Sequence, residues 1–225
     1  MSLLSDMGTI ISTMTVGEVD FSSVQVFRSQ AAWFVFGPLT AIGAVLVYFM
    51  YRAVPWLDRH LERTIVVYTY IIIAAIIFVG VLQRFIPFLP GQPPWSTTLP
   101  PMLFMVMAWF GCSFNVRLRT HLSFNEFRSK MRPQLQMLTL WLDAILWFGF
   151  CVIVVTTTAR VTANAVSNFM IVPGTNGLMQ WWFIITVPFA FVLMAGRVLE
   201  NLIEDIRRYR AGEPLVVQAV IGGDV

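Results

Sequence analysis

TIVVYTYIIIAAIIFVGVL, residues Thr64 to Leu82, runs without a single charged side chain. A helix crossing a ~30 Å hydrocarbon core needs about 20 mostly apolar residues, and this run has that length. A half-buried strand would alternate polar and apolar positions, whereas here both parities are apolar. The stretch therefore reads as a helix embedded in lipid, and the strand pattern of a membrane barrel is excluded.

Four further stretches repeat the pattern on either side. Ser29 to Tyr51 carries no charge, and Leu99 to Val116 is opened by Pro100 and Pro101, which suit the first turn of a helix. Gln134 to Thr158 holds Asp143 as its one charge, and Leu178 to Ile203 is uncharged until Arg197. The chain has 225 residues, 57% hydrophobic and only 12% charged, with a mean hydropathy of +0.73. That leaves too little polar material to cover a water-soluble fold of this size. The expectation is an all-α, polytopic membrane protein with five transmembrane helices.

Orientation follows from the arginines. Arg52, Arg59 and Arg63 follow the first span; Arg117, Arg119, Arg128, Lys130 and Arg132 follow the third; Arg197, Arg207, Arg208 and Arg210 close the fifth. The opposite side holds Arg28, Arg84 and Arg160. Positive loops remain cytoplasmic, which puts the N-terminus outside and the C-terminus inside. The acidic N-terminal segment, with Asp6, Glu18 and Asp20, agrees and does not resemble a secretory signal. Trp33, Trp56, Trp95, Trp181 and Trp182 fall near span ends, where indole prefers the headgroup layer.

Two segments read as lying flat on the membrane. Leu3, Met7, Ile10, Ile11 and Met14 recur at helical spacing on the outer side. Phe124, Phe127 and Met131 do so on the inner side amid Arg128, Lys130 and Arg132. Either could instead pack on a partner protein. Gly37-Pro38 is a candidate kink in the first span, and the residues after Arg210 read as a loose cytoplasmic tail.

Asp143 is the clearest intramembrane charge, a placement that costs roughly 2.5–3.5 kcal/mol near a helix centre. It reads either as a proton or ion ligand or as a carboxylate neutralised at a helix contact. With no second acid, histidine or basic partner in the neighbouring spans, the structural role is the stronger expectation. Arg84 ends the second span on the outer side, and Arg197 with Glu200 ends the fifth on the inner side; such long side chains can snorkel to the interface. His60 and His121 both fall in cytoplasmic loops, which leaves no bis-histidine haem site in the membrane. Cys112 and Cys151 sit in separate apolar stretches with no metal-binding spacing. No basic run interleaved with aromatics suggests nucleic-acid binding.

From Leu61 to Arg210 the chain resembles the DctQ-type small membrane subunit of tripartite ATP-independent periplasmic (TRAP) transporters. The resemblance rests on order and spacing: Leu61-Glu62-Arg63 before a long apolar helix ending in Gln83-Arg84-Phe85-Ile86; Pro94-Trp95 before the next helix; Arg119-Thr120-His121-Leu122-Ser123 in the following loop. Pro173 and Trp181-Trp182 then precede a last helix holding Pro188 and leading into Glu200-Asn201-Leu202-Ile203-Glu204-Asp205. The chain departs from the family where Ser96-Thr97-Thr98 replaces an acidic pair and where Asn125 stands for a common aspartate. Arg84 thereby loses its usual acidic partner. The family has about four spans, so Ser29 to Tyr51 looks like an addition.

The resemblance implies a non-catalytic protein of a bacterial inner membrane, without metal or cofactor. Its implied partners are a large DctM-type permease subunit, which holds the sodium and substrate sites, a periplasmic substrate-binding protein, and membrane lipids. The substrate in such systems is commonly an organic acid. The implied organisation is a periplasmic segment (1–28), an added helix with a linker (29–60), a four-helix DctQ-like domain (61–210) and a tail (211–225). Candidate subunit contacts are Arg84 and Trp95 outside and His121, Asn125 and Arg128 inside. Two other functions compete, the anchor of a redox complex and an autonomous transporter or channel. The first lacks histidines in its spans. The second would have only Asp143, Asn115 and Gln83 to line a path, and no internal repeat is visible.

Overall fold

The computed structural model describes residues 3–17, 19–86, 88–119, 128 and 130–215. Eight helices follow one another among these residues: α1 (Leu3–Val16), α2 (Phe21–Val26), α3 (Ala31–Ala53), α4 (Pro55–Phe85), α5 (Trp95–Leu118), α6 (Pro133–Ser167), α7 (Trp181–Ile184) and α8 (Thr186–Ala211). Five of the helical segments are long and apolar enough to cross a membrane: α3, α4, α5, α6 and the combined α7–α8. The chain is a multi-span helical membrane protein, as the apolar blocks require.

The helix ends depart from the sequence reading in instructive ways. Only Val54 separates α3 from α4, because Pro55 has the preset φ that opens a helix. The charged residues Asp58, Arg59, Glu62 and Arg63, read as a loop, are the first turns of α4. Helix α5 starts at Trp95, so Pro100 and Pro101 lie inside it and not in its first turn. The carbonyls of Ser96 and Thr97 thus lose their usual helical donors. Helix α3 continues through Gly37-Pro38 without interruption.

Helix α8 is the axis of the bundle. Half of its most apolar stretch is buried inside the molecule, against 6% for α4. It packs on α3, α5 and α6, whereas α4 leans mainly on α5. Phe191 of α8 is fully buried and joins three spans, with Trp109 of α5 at 5.1 Å between ring centroids and Phe150 of α6 edge-on at 5.6 Å. Small residues bring α3 and α8 together. A methyl group on Gly196 would lie 2.5 Å from Val47 Cγ1 and 3.3 Å from the Ala44 carbonyl. Gly43 meets Val192 on the same seam, where Ala44 and Ala195 are also buried. Close backbone approach of this kind drives helix association in lipid, where water offers no hydrophobic push.

Helix α1 is not only a surface float. Ile10 and Thr13 are buried, and the helix packs on α3, while Leu4, Ile11 and Met14 remain exposed. The periodicity of α1 thus serves the bundle core on one line and the surroundings on another. The inner amphipathic segment at Phe124 and Phe127 lies outside the described residues.

Candidate functional site

Polar side chains gather at the arginine-rich end of the bundle, and they do so between helices. Asp58 and Glu62 are one helical turn apart on α4, so both carboxylates point the same way. Arg197 of α8 meets them: its Nε donates to Glu62 Oε1 at 3.1 Å, its Nη2 donates to the Asp58 carbonyl at 3.0 Å, and its Nη1 pairs with the Asp58 carboxylate. Nη1 also reaches Glu200 Oε2 at 2.9 Å. From α5, Arg117 donates to the Asp58 carbonyl at 2.7 Å and to its carboxylate at 3.1 Å. Ser113 of α5 and Tyr51 of α3 donate their hydroxyls to Glu62 Oε1 at 2.8 and 3.2 Å. The guanidinium carbon of Arg197 lies 3.8 Å from the centre of the Tyr51 ring, a cation–π contact.

The Arg197 and Glu62 side chains are each only 1% exposed. Arg197 therefore does not snorkel as its position near a span end suggested; it turns inward because α4 supplies the acceptors Asp58 and Glu62 and α3 the face of the Tyr51 ring. Two guanidiniums oppose the buried Glu62 carboxylate and the partly exposed Asp58 carboxylate, with the more exposed Glu200 at the edge. Buried charge in a membrane protein survives when paired in this way. The arrangement ties α3, α4, α5 and α8 at one level.

A second tie lies just beyond it. Arg119 ends α5 in the left-handed conformation, with φ at 54°. Its side chain donates to Asp205 Oδ1 at 2.6 Å, to the Asn201 carbonyl at 3.1 Å and to Glu204 at 3.4 Å. Asn201 Nδ2 in return donates to the Val116 carbonyl at 2.9 Å, in the last turn of α5, where that carbonyl also accepts from the Arg119 backbone N–H at 3.3 Å.

Asp143 on α6 pairs with Arg128, a basic partner supplied by the connection before α6 and not by a neighbouring span. At 35 residues and 1.5 Å per residue, α6 is about 52 Å long, well beyond a ~30 Å core. Asp143 lies about 15 Å from the start of α6, so the overhang brings it near the boundary of the hydrocarbon. Two of the expected site residues thus come together as one ion pair. His121 and Asn125 lie outside the described residues.

At the opposite end Arg84 donates to Gln92 Oε1 at 3.3 Å, a neutral partner in place of an acid. Trp95 begins α5 beside Pro94, against which Gly174 is pressed: a Cβ there would sit 2.7 Å from Pro94 Cβ and 2.8 Å from the Trp95 nitrogen. Gly174 also has φ at +78°, so the loop needs glycine on both counts. Thr98 fastens the same loop by donating to the Pro173 carbonyl at 2.7 Å. Arg84 and Trp95 are separate from Arg128 and Asp143, at opposite ends of the bundle.

Among the described residues, Asp6 Oδ1 on α1 is the one buried side-chain oxygen or nitrogen without a hydrogen-bond partner. No group of three or more potential metal-ligating side chains occurs among them either. The polar groups of the cluster around Arg197 are thus spent on one another.

The family comparison reads the same region of the chain. Residues 73–208, more than half of the sequence, match the model described as the DctQ component of tripartite ATP-independent periplasmic transporters. The chain belongs to the DctQ family. It is therefore the small membrane component of a TRAP transporter, a system that includes a large permease and a binding protein. No curated protein matches it. Several residues that carried the resemblance, Glu62, Arg119, Asn201 and Asp205, are side chains that tie one helix to another. Sequence reasoning missed the joining of Asp58, Glu62, Arg117 and Arg197. The available signal was two acids at helical spacing facing two arginines near the same membrane boundary.

Proposed function

We propose that this DctQ protein is a non-catalytic brace for the large permease subunit of a sodium-coupled TRAP symporter in a bacterial inner membrane. The permease moves substrate, commonly an organic acid, by an elevator-type displacement, and a periplasmic protein delivers it. A moving transport domain needs a fixed neighbour, and the observation that supports this role is the buried cluster around Arg197. Polar groups that serve transport face a path and are left available to the cargo. Here the charged groups inside the bundle neutralise one another and clamp four spans together.

In this reading the arginine-rich end is cytoplasmic. Residues 61–210 form the DctQ-like brace, residues 29–60 add a span to it, and residues 1–28 lie on the periplasmic side. Arg84 and Trp95 are proposed periplasmic contacts for the partner subunits; His121, Asn125 and Arg128 are proposed cytoplasmic ones. The test is to purify the chain alone and with its permease. Proteoliposomes holding the chain alone should take up no substrate. Those holding permease and binding protein should lose sodium-driven uptake when the chain is left out. Uptake by the isolated chain would overturn the proposal.

A further inference from the structure

The first two turns of α4 divide their charges between two faces. In sequence, Asp58-Arg59 and Glu62-Arg63 look like balanced pairs. In the fold both acids are committed to other helices, Glu62 to Arg197 and Asp58 to Arg117 and Arg197. Arg59 and Arg63 are left exposed, and neither guanidinium has a hydrogen-bond or ion-pair partner among the described residues.

The helix repeat gathers these cations on one face. At about 100° per residue, Trp56, Arg59, His60 and Arg63 fall within about 60° of one line along α4, and the two acids lie about 120° to 160° round from it. Arg59 and Arg63 are one turn apart, which places their Cβ atoms about 5–6 Å from each other. Trp56 is fixed beside them: its indole stacks on the His60 ring at 5.3 Å between centroids, and His60 Nδ1 donates to the Trp56 carbonyl at 3.0 Å.

The same line continues into an apolar strip. Val67, Tyr70, Ile71 and Phe78 follow Arg63 along it, all exposed, and α4 holds no acid beyond Glu62. Val67 to Phe78 spans about 16 Å at 1.5 Å per residue, the depth of one leaflet's half of a ~30 Å core. The face thus asks for an anion level with the two arginines and for an apolar chain one leaflet long beneath it. A soluble acidic peptide meets only the first requirement. An anionic lipid meets both.

We infer that this face of α4 holds an anionic glycerophospholipid of the adjoining leaflet, its phosphate bound by Arg59 and Arg63 beside Trp56 and an acyl chain laid along Val67 to Phe78. The inference does not depend on the bracing role, because its readout is lipid binding and not transport.

The full chain in detergent is titrated with dioleoyl phosphatidylglycerol or dioleoyl phosphatidylcholine, alone and with its permease, and bound lipid is counted by native mass spectrometry. The expected result is one phosphatidylglycerol held per chain in both preparations, with phosphatidylcholine bound more weakly. Arg59→Gln/Arg63→Gln should weaken phosphatidylglycerol binding roughly 10- to 30-fold, about fivefold for each charge removed. Neither side chain has a partner in the fold, so the helical circular dichroism should be unchanged. Arg207→Gln/Arg210→Gln removes the same charge from exposed positions at the same end of the bundle and should leave the lipid bound. Equal losses from the two double variants would reduce the effect to general surface charge and overturn the inference. Displacement of the lipid by glycerol phosphate, which carries the anion and no acyl chain, would overturn it too, as would loss of the lipid once the permease is bound.

Discussion

Arg197 and Glu62, separated by 135 residues in sequence, face each other at 3.1 Å with each side chain 1% exposed. A charge this deep is stabilising only while its counter-charge is present. Removing one partner of a buried pair typically costs about 3–5 kcal/mol, whereas replacing both with apolar residues is far milder. Arg197→Met and Glu62→Met should therefore each destabilise the purified protein strongly, and the double variant should be more stable than either single one. Thermal unfolding in detergent measures this directly. Independent, additive losses would mean that the two side chains do not depend on each other.

The same cluster explains what reading the sequence captured and what it did not. Each span is a contiguous apolar run, so its existence is written locally, as in Thr64 to Leu82. Helix ends are less local. Asp58 and Glu62 look like loop residues when taken one helix at a time, because the arginines that let them enter the bundle come from α5 and α8. Arg197 looked like a snorkelling side chain for the same reason. Asp143 was read as a carboxylate at a helix contact without a basic partner in the neighbouring spans; its partner Arg128 comes from the preceding connection, which a search among spans passes over. The apolar groove between α1, α3, α6 and α8 depends on how four helices splay, and periodicity says nothing about that.

The crossing of α3 and α8 is tight enough that one methyl group should be felt. A Cβ at Gly196 would lie 2.5 and 2.8 Å from Val47 side-chain carbons near the branch point, which cannot swing aside. Gly196→Ala should therefore cost about 1–3 kcal/mol, the range for overpacking. Gly149, on α6, has nothing within 4 Å of its would-be Cβ. Gly149→Ala should stabilise the helix by about 0.5–1 kcal/mol. Opposite shifts in unfolding midpoint are the expected result, and two shifts of the same sign would contradict the packing.

Arg119 sets a backbone cost against a side-chain gain. Its left-handed φ of 54° is worth roughly 1–2 kcal/mol of strain for a residue with a Cβ. Both Arg119→Ala and Arg119→Gly remove the bonds to Asp205, Asn201 and Glu204, but only glycine removes the strain. Both should unfold earlier than the native chain, with the glycine variant about 1 kcal/mol more stable than the alanine one. Equal stability of the two would show that the turn relaxes once the side chain is gone.

Asp143 allows the structural and transport roles of an intramembrane acid to be separated. Its partner Arg128 has a side chain only 13% exposed, and Asp143 itself is 44% exposed, so the pair sits at an edge of α6 and not on a lined path. If the pairing is its purpose, Asp143→Asn leaves Arg128 short of a counter-charge, and Asp143→Asn/Arg128→Gln restores balance. The single variant should weaken assembly with the permease or lower the unfolding midpoint modestly, and the double variant should recover. Substrate uptake per assembled complex should be unchanged in both. A carboxylate that binds the transported ion or a proton gives a different pattern: uptake falls in both variants while assembly persists, because no rearrangement of arginines replaces a lost ligand. Uptake normalised to assembled complex, measured in the same proteoliposomes, distinguishes the two outcomes.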